Sequence, residues 1–145
     1  MDFLYQGDGN MDWKSCQNNR LIKAVQKDEP LISSLQQGSE KKLKTNKLLP
    51  LTEVTAATKI SIIYDALREL LEALALEKGY KVYNHECYCS FLREIMKEDV
   101  LAEEFDKWRK LRNSINYYGK EIYVEEAKIV LPEIEKLIEK VKKMF

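Results

Sequence analysis

The stretch Tyr64-Asp65-Ala66-Leu67-Arg68-Glu69-Leu70-Leu71-Glu72-Ala73-Leu74 decides the fold. With Ile60 and Ile63 just upstream, Leu67, Leu70, Leu71 and Leu74 recur every three or four residues, which places them on one face of an α-helix. Arg68, Glu69 and Glu72 fall off that stripe. Thr52, two residues after Pro50, supplies a capping hydroxyl, and Gly79 stands where the chain must turn left-handed to leave the helix. The apolar run from 70 to 76 is interrupted by Glu72 and is too short to span a bilayer.

Helical spacing continues on both sides of this stretch. Toward the N-terminus, Asp12 reads as a cap for a short amphipathic helix carrying Trp13, Cys16, Leu21, Ala24 and Val25, which must stop before Pro30. Residues 31–49 hold Leu31, Ile32, Leu35, Leu43 and Leu48, but Gly38 and Ser39 interrupt them, so one broken helix or two short ones are expected. Residues 1–11, with Gly7, Asp8, Gly9 and Asn10, lack periodicity and read as a loose arm.

Toward the C-terminus, Asn84 caps a helix through Phe91, Leu92 and Ile95 to about Lys97. The next begins near Asp99, with Leu101, Phe105, Trp108, Leu111, Ile115 and Tyr118 as a core stripe, and Gly119 ends it. Residues 121–124 are a candidate extended bridge. A closing helix over 124–144 carries Ala127, Val130, Leu131, Ile134, Leu137, Ile138 and Val141, bent where Pro132 lacks its donor. The expected fold is all-α: one domain over residues 1–145, an antiparallel bundle of about five helices.

The 24 basic and 24 acidic side chains cancel, so no overall positive field draws the molecule unselectively onto nucleic acid. Any such contact must be local. Lys41, Lys42, Lys44 and Lys47 form the one strongly basic run, which reads as a solvated helix face or as a phosphate contact. Cys16, Cys87 and Cys89 lack the dense spacing of a secreted disulfide framework, and the default expectation is a cytoplasmic protein. His85 and Cys89 are four residues apart and share a helical face, but two ligands do not make a metal site. Cys87 and Cys89 therefore read as buried packing groups, His85 as a helix-start residue, and neither metal nor cofactor is expected.

The segment Trp108-Arg109-Lys110-Leu111-Arg112-Asn113-Ser114-Ile115-Asn116-Tyr117-Tyr118-Gly119 is less generic. At about 100° per residue, Arg112 lies at the edge of the stripe of Trp108, Leu111 and Ile115, so its guanidinium is half sheltered. A sheltered Arg needs a partner: a phosphate held by its fork, or a carboxylate on the neighbouring long helix, with Asp65, Glu69 and Glu72 in reach. The tyrosines, Tyr64, Tyr88 and Tyr117 among them, could stack bases or pack at a core rim or subunit interface.

The Arg112-Asn113 step late in a long helix, the Tyr117-Tyr118-Gly119 exit, and the upstream 64–74 helix followed by Gly79-Tyr80 and Asn84-His85 resemble the HEPN domain family over roughly residues 55–143. That resemblance implies a HEPN-like core over 52–144, and a homodimer whose Arg-bearing helices meet in a shared cleft that contacts RNA or a nucleotide. The family includes metal-independent endoribonucleases, often toxins paired with a small nucleotidyltransferase antitoxin, and members of no known activity. Its nuclease motif continues from Arg and a polar residue to His, where this chain has Tyr117 and Tyr118. By that resemblance Arg112 would hold the scissile phosphate, Asn113 would orient it, and Tyr117 would donate a proton or position the substrate. Asn116, Arg109, Arg68 and Glu72 complete the candidate RNA or nucleotide contacts. Tyr, with a pKa near 10, accepts protons poorly at pH 7. The alternative is a non-catalytic module that binds a nucleotidyltransferase through its helical faces.

Overall fold

In the computed structural model, which describes residues 11–145, the chain is mostly helical. Its order is α1 (Trp13–Asn18), β1 (Ile22–Ala24), α2 (Glu29–Leu48), α3 (Ala56–Glu77), β2 (Tyr80–Val82), α4 (Cys87–Ser90), α5 (Asp99–Tyr118) and α6 (Val124–Lys142). α4 runs on into a π-helical turn at Phe91–Ile95. No described helix is long and apolar enough to cross a membrane. The expected N-terminal arm lies outside the described residues except for Met11, which packs against the core.

α3 is the axis of the bundle. Its predicted stripe of Ile60, Ile63, Leu67, Leu70, Leu71 and Leu74 is buried, as are Tyr64, Ala66, Ala73 and Ala75. Each large apolar side chain so buried contributes about 1.5–3 kcal/mol relative to exposure. α2, α5 and α6 all pack against this one helix. Thr52 caps as expected: its hydroxyl accepts the Val54 and Thr55 N–H groups, and regular helix begins at Ala56. Gly79 leaves the helix with φ +92°.

α2 corrects the expected break. Gly38 sits inside one continuous helix, at a point where a Cβ would lie 2.6 Å from a carboxylate oxygen of Glu69. Its missing side chain lets Glu69 of α3 reach α2, where Lys42 pairs with it, and next to it Ser39 Oγ donates to Ala66 O at 2.7 Å. The two residues that suggest a breaker are thus a close helix–helix contact. At the far end, the buried Lys59 donates Nζ–H to the carbonyls of Asn46 and of Leu49, the latter at 2.7 Å, and so satisfies two acceptors that the end of α2 leaves open.

The N-terminal segment also departs from expectation. Asp12 caps α1, accepting from Ser15 N–H at 2.7 Å. The helix then stops at Asn18, because Arg20 is left-handed (φ 57°) and the chain continues as β1. β1 pairs antiparallel with β2, Ile22 opposite Val82 and Ala24 opposite Tyr80. Leu21, Ala24 and Val25 therefore belong to no helix. A three-residue strand is too short to show alternation, and its partner lies almost sixty residues away.

Cys87 and Cys89 are buried as expected, but Cys87 is also joined to Cys16 by a disulfide that ties α1 to α4, a bond the sequence reading did not include. Disulfides are uncommon in the cytosol, so the cysteines do not carry the cytoplasmic expectation. The other expected helices are present. Asn84 Oδ1 accepts from Glu86 N–H ahead of α4, the chain turns at Lys97 (φ 59°) into α5, and Gly119 (φ 66°) ends α5. The whole apolar stripe of α6 is buried, whereas that of α5 fades at Tyr118, which is exposed.

Replacing Lys59 by Met keeps the apolar stem but strips two carbonyls of their donor. The unfolding free energy in urea is expected to fall by about 1–3 kcal/mol; an unchanged value would mean that the end of α2 needs no such cap.

Candidate functional site

The facing surfaces of α3 and α5 carry two polar rows at helical spacing. α3 presents Ser61, Asp65, Arg68 and Glu72, and α5 presents Arg109, Arg112 and Asn116. They meet in register: Ser61 Oγ donates to Asn116 Oδ1 at 3.3 Å, and Arg112 Nη2 lies 3.5 Å from Asp65 Oδ1. Next along α3, Arg68 Nη1 donates to Glu72 Oε1 at 2.8 Å within the helix.

An aromatic wall backs this seam. Tyr64 stacks on Phe105 with centroids 5.8 Å apart, and Tyr88 meets Phe105 edge-on at 6.1 Å. The Arg112 guanidinium carbon is 5.5 Å from the Tyr64 ring centroid, within cation–π range. The turn after β2 delivers His85 to the same spot, where its Nδ1 shares a hydrogen bond of 3.2 Å with Tyr64 Oη. Burial depresses the His85 pKa to about 4, with Arg68, Arg112 and Arg109 adding to the effect. The imidazole is therefore neutral at pH 7. Burial also raises the Tyr64 and Tyr88 phenols above their usual range, so both stay protonated.

Of the expected carboxylate partners for Arg112, Asp65 is the one that meets it. Glu69 is taken by Lys42, and Glu72 by Arg68. The Arg112 side chain is 17% exposed, and its buried Nε has no acceptor. It is thus more deeply sheltered than its place at the stripe's edge implied, with one long ion pair where a guanidinium can make several bonds. Arg109 is the opposite case, buried with Nε and Nη2 on Asp106 Oδ1 at 3.1 and 2.6 Å. A ligand would have to displace Asp106 to reach it.

The predicted set is therefore divided. Arg68, Glu72, Arg109 and Arg112 gather around Tyr64 and His85, while Asn116 lies at the exposed end of the seam. Asn113 is half-buried, one step around the helix, and Tyr117 is 56% exposed on the last turn of α5. His85, read from sequence as a helix-start residue, is the member that sequence reasoning missed. Nothing in chain spacing links position 85 to position 112; only the turn after β2 does.

Cys89 is the free cysteine, buried with its Sγ 3.6 Å from Asp106 Oδ1. Burial, then the Asp106 charge, pushes its thiol up to about 12, so it stays protonated and poorly nucleophilic. With Cys16 bonded to Cys87, a His85–Cys89 pair gains no third ligand from it, and among the described residues no group of three or more His, Cys, Asp or Glu side chains could hold a metal. No family model matches the chain. Neither does any curated protein or solved structure.

The depressed His85 pKa makes stability depend on pH. A histidine held neutral in the fold but titrating near 6.5 when unfolded stabilises fully above 6.5, and loses that contribution as pH falls toward about 4. Between about pH 7 and pH 5 this amounts to roughly 2 kcal/mol. Urea unfolding at the two pH values is expected to show that loss in the native chain and a smaller one in His85→Gln; equal losses would place His85 in an environment no different from water.

Proposed function

We propose that the chain is a HEPN-like helical protein, acting as a homodimer, that contacts RNA or a nucleotide phosphate through Arg112. The observation that carries this reading is the incomplete pairing of that guanidinium: one long contact to Asp65, and an Nε inside the molecule without an acceptor. A phosphate offers oxygens in the bidentate geometry that a guanidinium matches, and would complete what Asp65 leaves open. Arg68 stands close enough to add its charge, and Asn113 and Asn116 flank the same helix.

As an endoribonuclease the protein would need a group that accepts a proton. Tyr117 serves that role poorly, being exposed on the last turn of α5. His85 stands beside the arginines and is neutral at pH 7, but a pKa held near 4 makes it a weak proton acceptor as well. The HEPN resemblance rests on the Arg112-Asn113 step and the helix pattern, and a ribonuclease toxin with a nucleotidyltransferase antitoxin is what it suggests.

A specific observation favours a second reading. Arg112 does have a carboxylate partner, and the carboxylates Asp65, Glu72 and Asp106 match the three guanidiniums of the seam. In that reading the seam is a packing device and the protein is a non-catalytic interaction module.

Incubation with mixed RNAs separates the two. RNA binding that weakens about tenfold or more in Arg112→Ala and in Arg112→Lys, with helical content retained, supports phosphate recognition by the guanidinium fork. RNA binding that is absent, or equal in all three proteins, supports the interaction module. Light scattering is expected to give twice the chain mass of 17.0 kDa, and a monomer at micromolar concentration would contradict the dimer.

A further inference from the structure

α2 and α6 both lie on α3 and are pinned to each other at one end, where Lys142 Nζ of α6 reaches Glu40 of α2 at 3.2 Å. From that point α2 runs toward Lys47 while α6 runs back toward Pro132, and both residues line one open cavity of about 610 Å³. The helices are therefore antiparallel along a groove. The half-buried Leu43 and the exposed Pro132 give it its apolar surface, over the fully buried Ile138 beneath.

The rim is basic in a chain that is neutral overall. Lys44 and Lys47 stand on the α2 side, and Lys136, Lys140 and Lys143 on the α6 side. With Lys142, six lysines face three glutamates, Glu40, Glu135 and Glu139, and two of those three are held by Lys142. Lys136 and Lys140 have only long contacts, 3.7 Å to Glu133 and 3.9 Å to Glu104. The basic run of α2 thus has two fates: Lys42 is spent on Glu69, while Lys44 and Lys47 border this groove.

We infer that the groove is a docking site for an acidic amphipathic helix of a partner protein. An apolar lining between two helices takes the ridge of a third helix, with apolar side chains at i, i+3 or i+4, and i+7. The lysines on both rims select a helix whose flanks carry Asp or Glu, by charge complementarity. From Glu40 to Lys47 the groove is about 10 Å long at 1.5 Å per residue, so about two turns fill it. RNA fits it poorly, because the lining is apolar and Glu135 and Glu139 would face phosphates. The groove shares no residue with the Arg112 seam, so this inference stands apart from the proposal above.

The test uses the full chain and a synthetic helix of about three turns, with leucines along one face and glutamates on both flanks. A scrambled peptide of the same composition, a peptide with lysines for glutamates, and phosphatidylglycerol vesicles serve as controls. The expected result is binding of the acidic helix alone, with methyl NMR shifts confined to Leu43 and Ile138 and their neighbours, and a loss of about tenfold or more in Lys44→Glu/Lys47→Glu. Four results would overturn the inference: no binding up to millimolar peptide, equal binding of the scrambled or lysine peptide, shifts elsewhere, or affinity unchanged by the charge reversal. Shifts at these methyls with vesicles alone would make the groove a membrane contact. Self-association abolished by the charge reversal would make it a seat for a second copy of the chain. Either outcome also rejects the acidic partner helix.

Discussion

α3 is covered along most of its length, and every polar group it carries into that cover must find a partner within the chain. A buried polar group left unmatched costs about 1–3 kcal/mol, a large part of the net stability of a domain this size. α2 answers two such demands and α5 one. Lys59 is met by the open carbonyls at the end of α2, Glu69 by Lys42 across the gap that Gly38 leaves, and Asp65 by Arg112 from α5. The contacts of Lys59 and Glu69 fix the register of α2 against α3, which apolar packing alone would leave freer to slide.

The same requirement explains why the α3–α5 seam gathers charge without becoming a general anion trap. Arg109 is held by Asp106 and Arg68 by Glu72, while Arg112 has one long contact and a buried Nε without an acceptor. His85 and the two buried phenols stay neutral beside it, and the wall they form adds no competing charge at pH 7. At the groove between α2 and α6 the balance differs: six lysines line it against three glutamates.

Much of this arrangement was legible in the chain. The α3 and α6 stripes, the Thr52 and Asp12 caps and the left-handed exits at Gly79 and Gly119 are local features with local causes, and each is in place. The sheltered position of Arg112 followed from helical spacing, which left Asp65, Glu69 and Glu72 all open as its partner. What could not be read were relations between distant segments. The β1–β2 pairing, the Cys16–Cys87 bond and the placing of His85 on Tyr64 join positions far apart in the chain with no periodic signature. Gly38 misled because the tolerance for a close helix neighbour and the tendency to break a helix come from the same missing side chain.

A ligand can reach Arg112 only if Asp65 holds it loosely, and a double-mutant cycle for unfolding on Arg112→Ala and Asp65→Ala measures that hold directly. A coupling energy below about 1 kcal/mol is the predicted result, as for a pair that water still reaches. A coupling of about 3–5 kcal/mol would contradict it, because the two charges would then be sealed together and the guanidinium closed to any ligand.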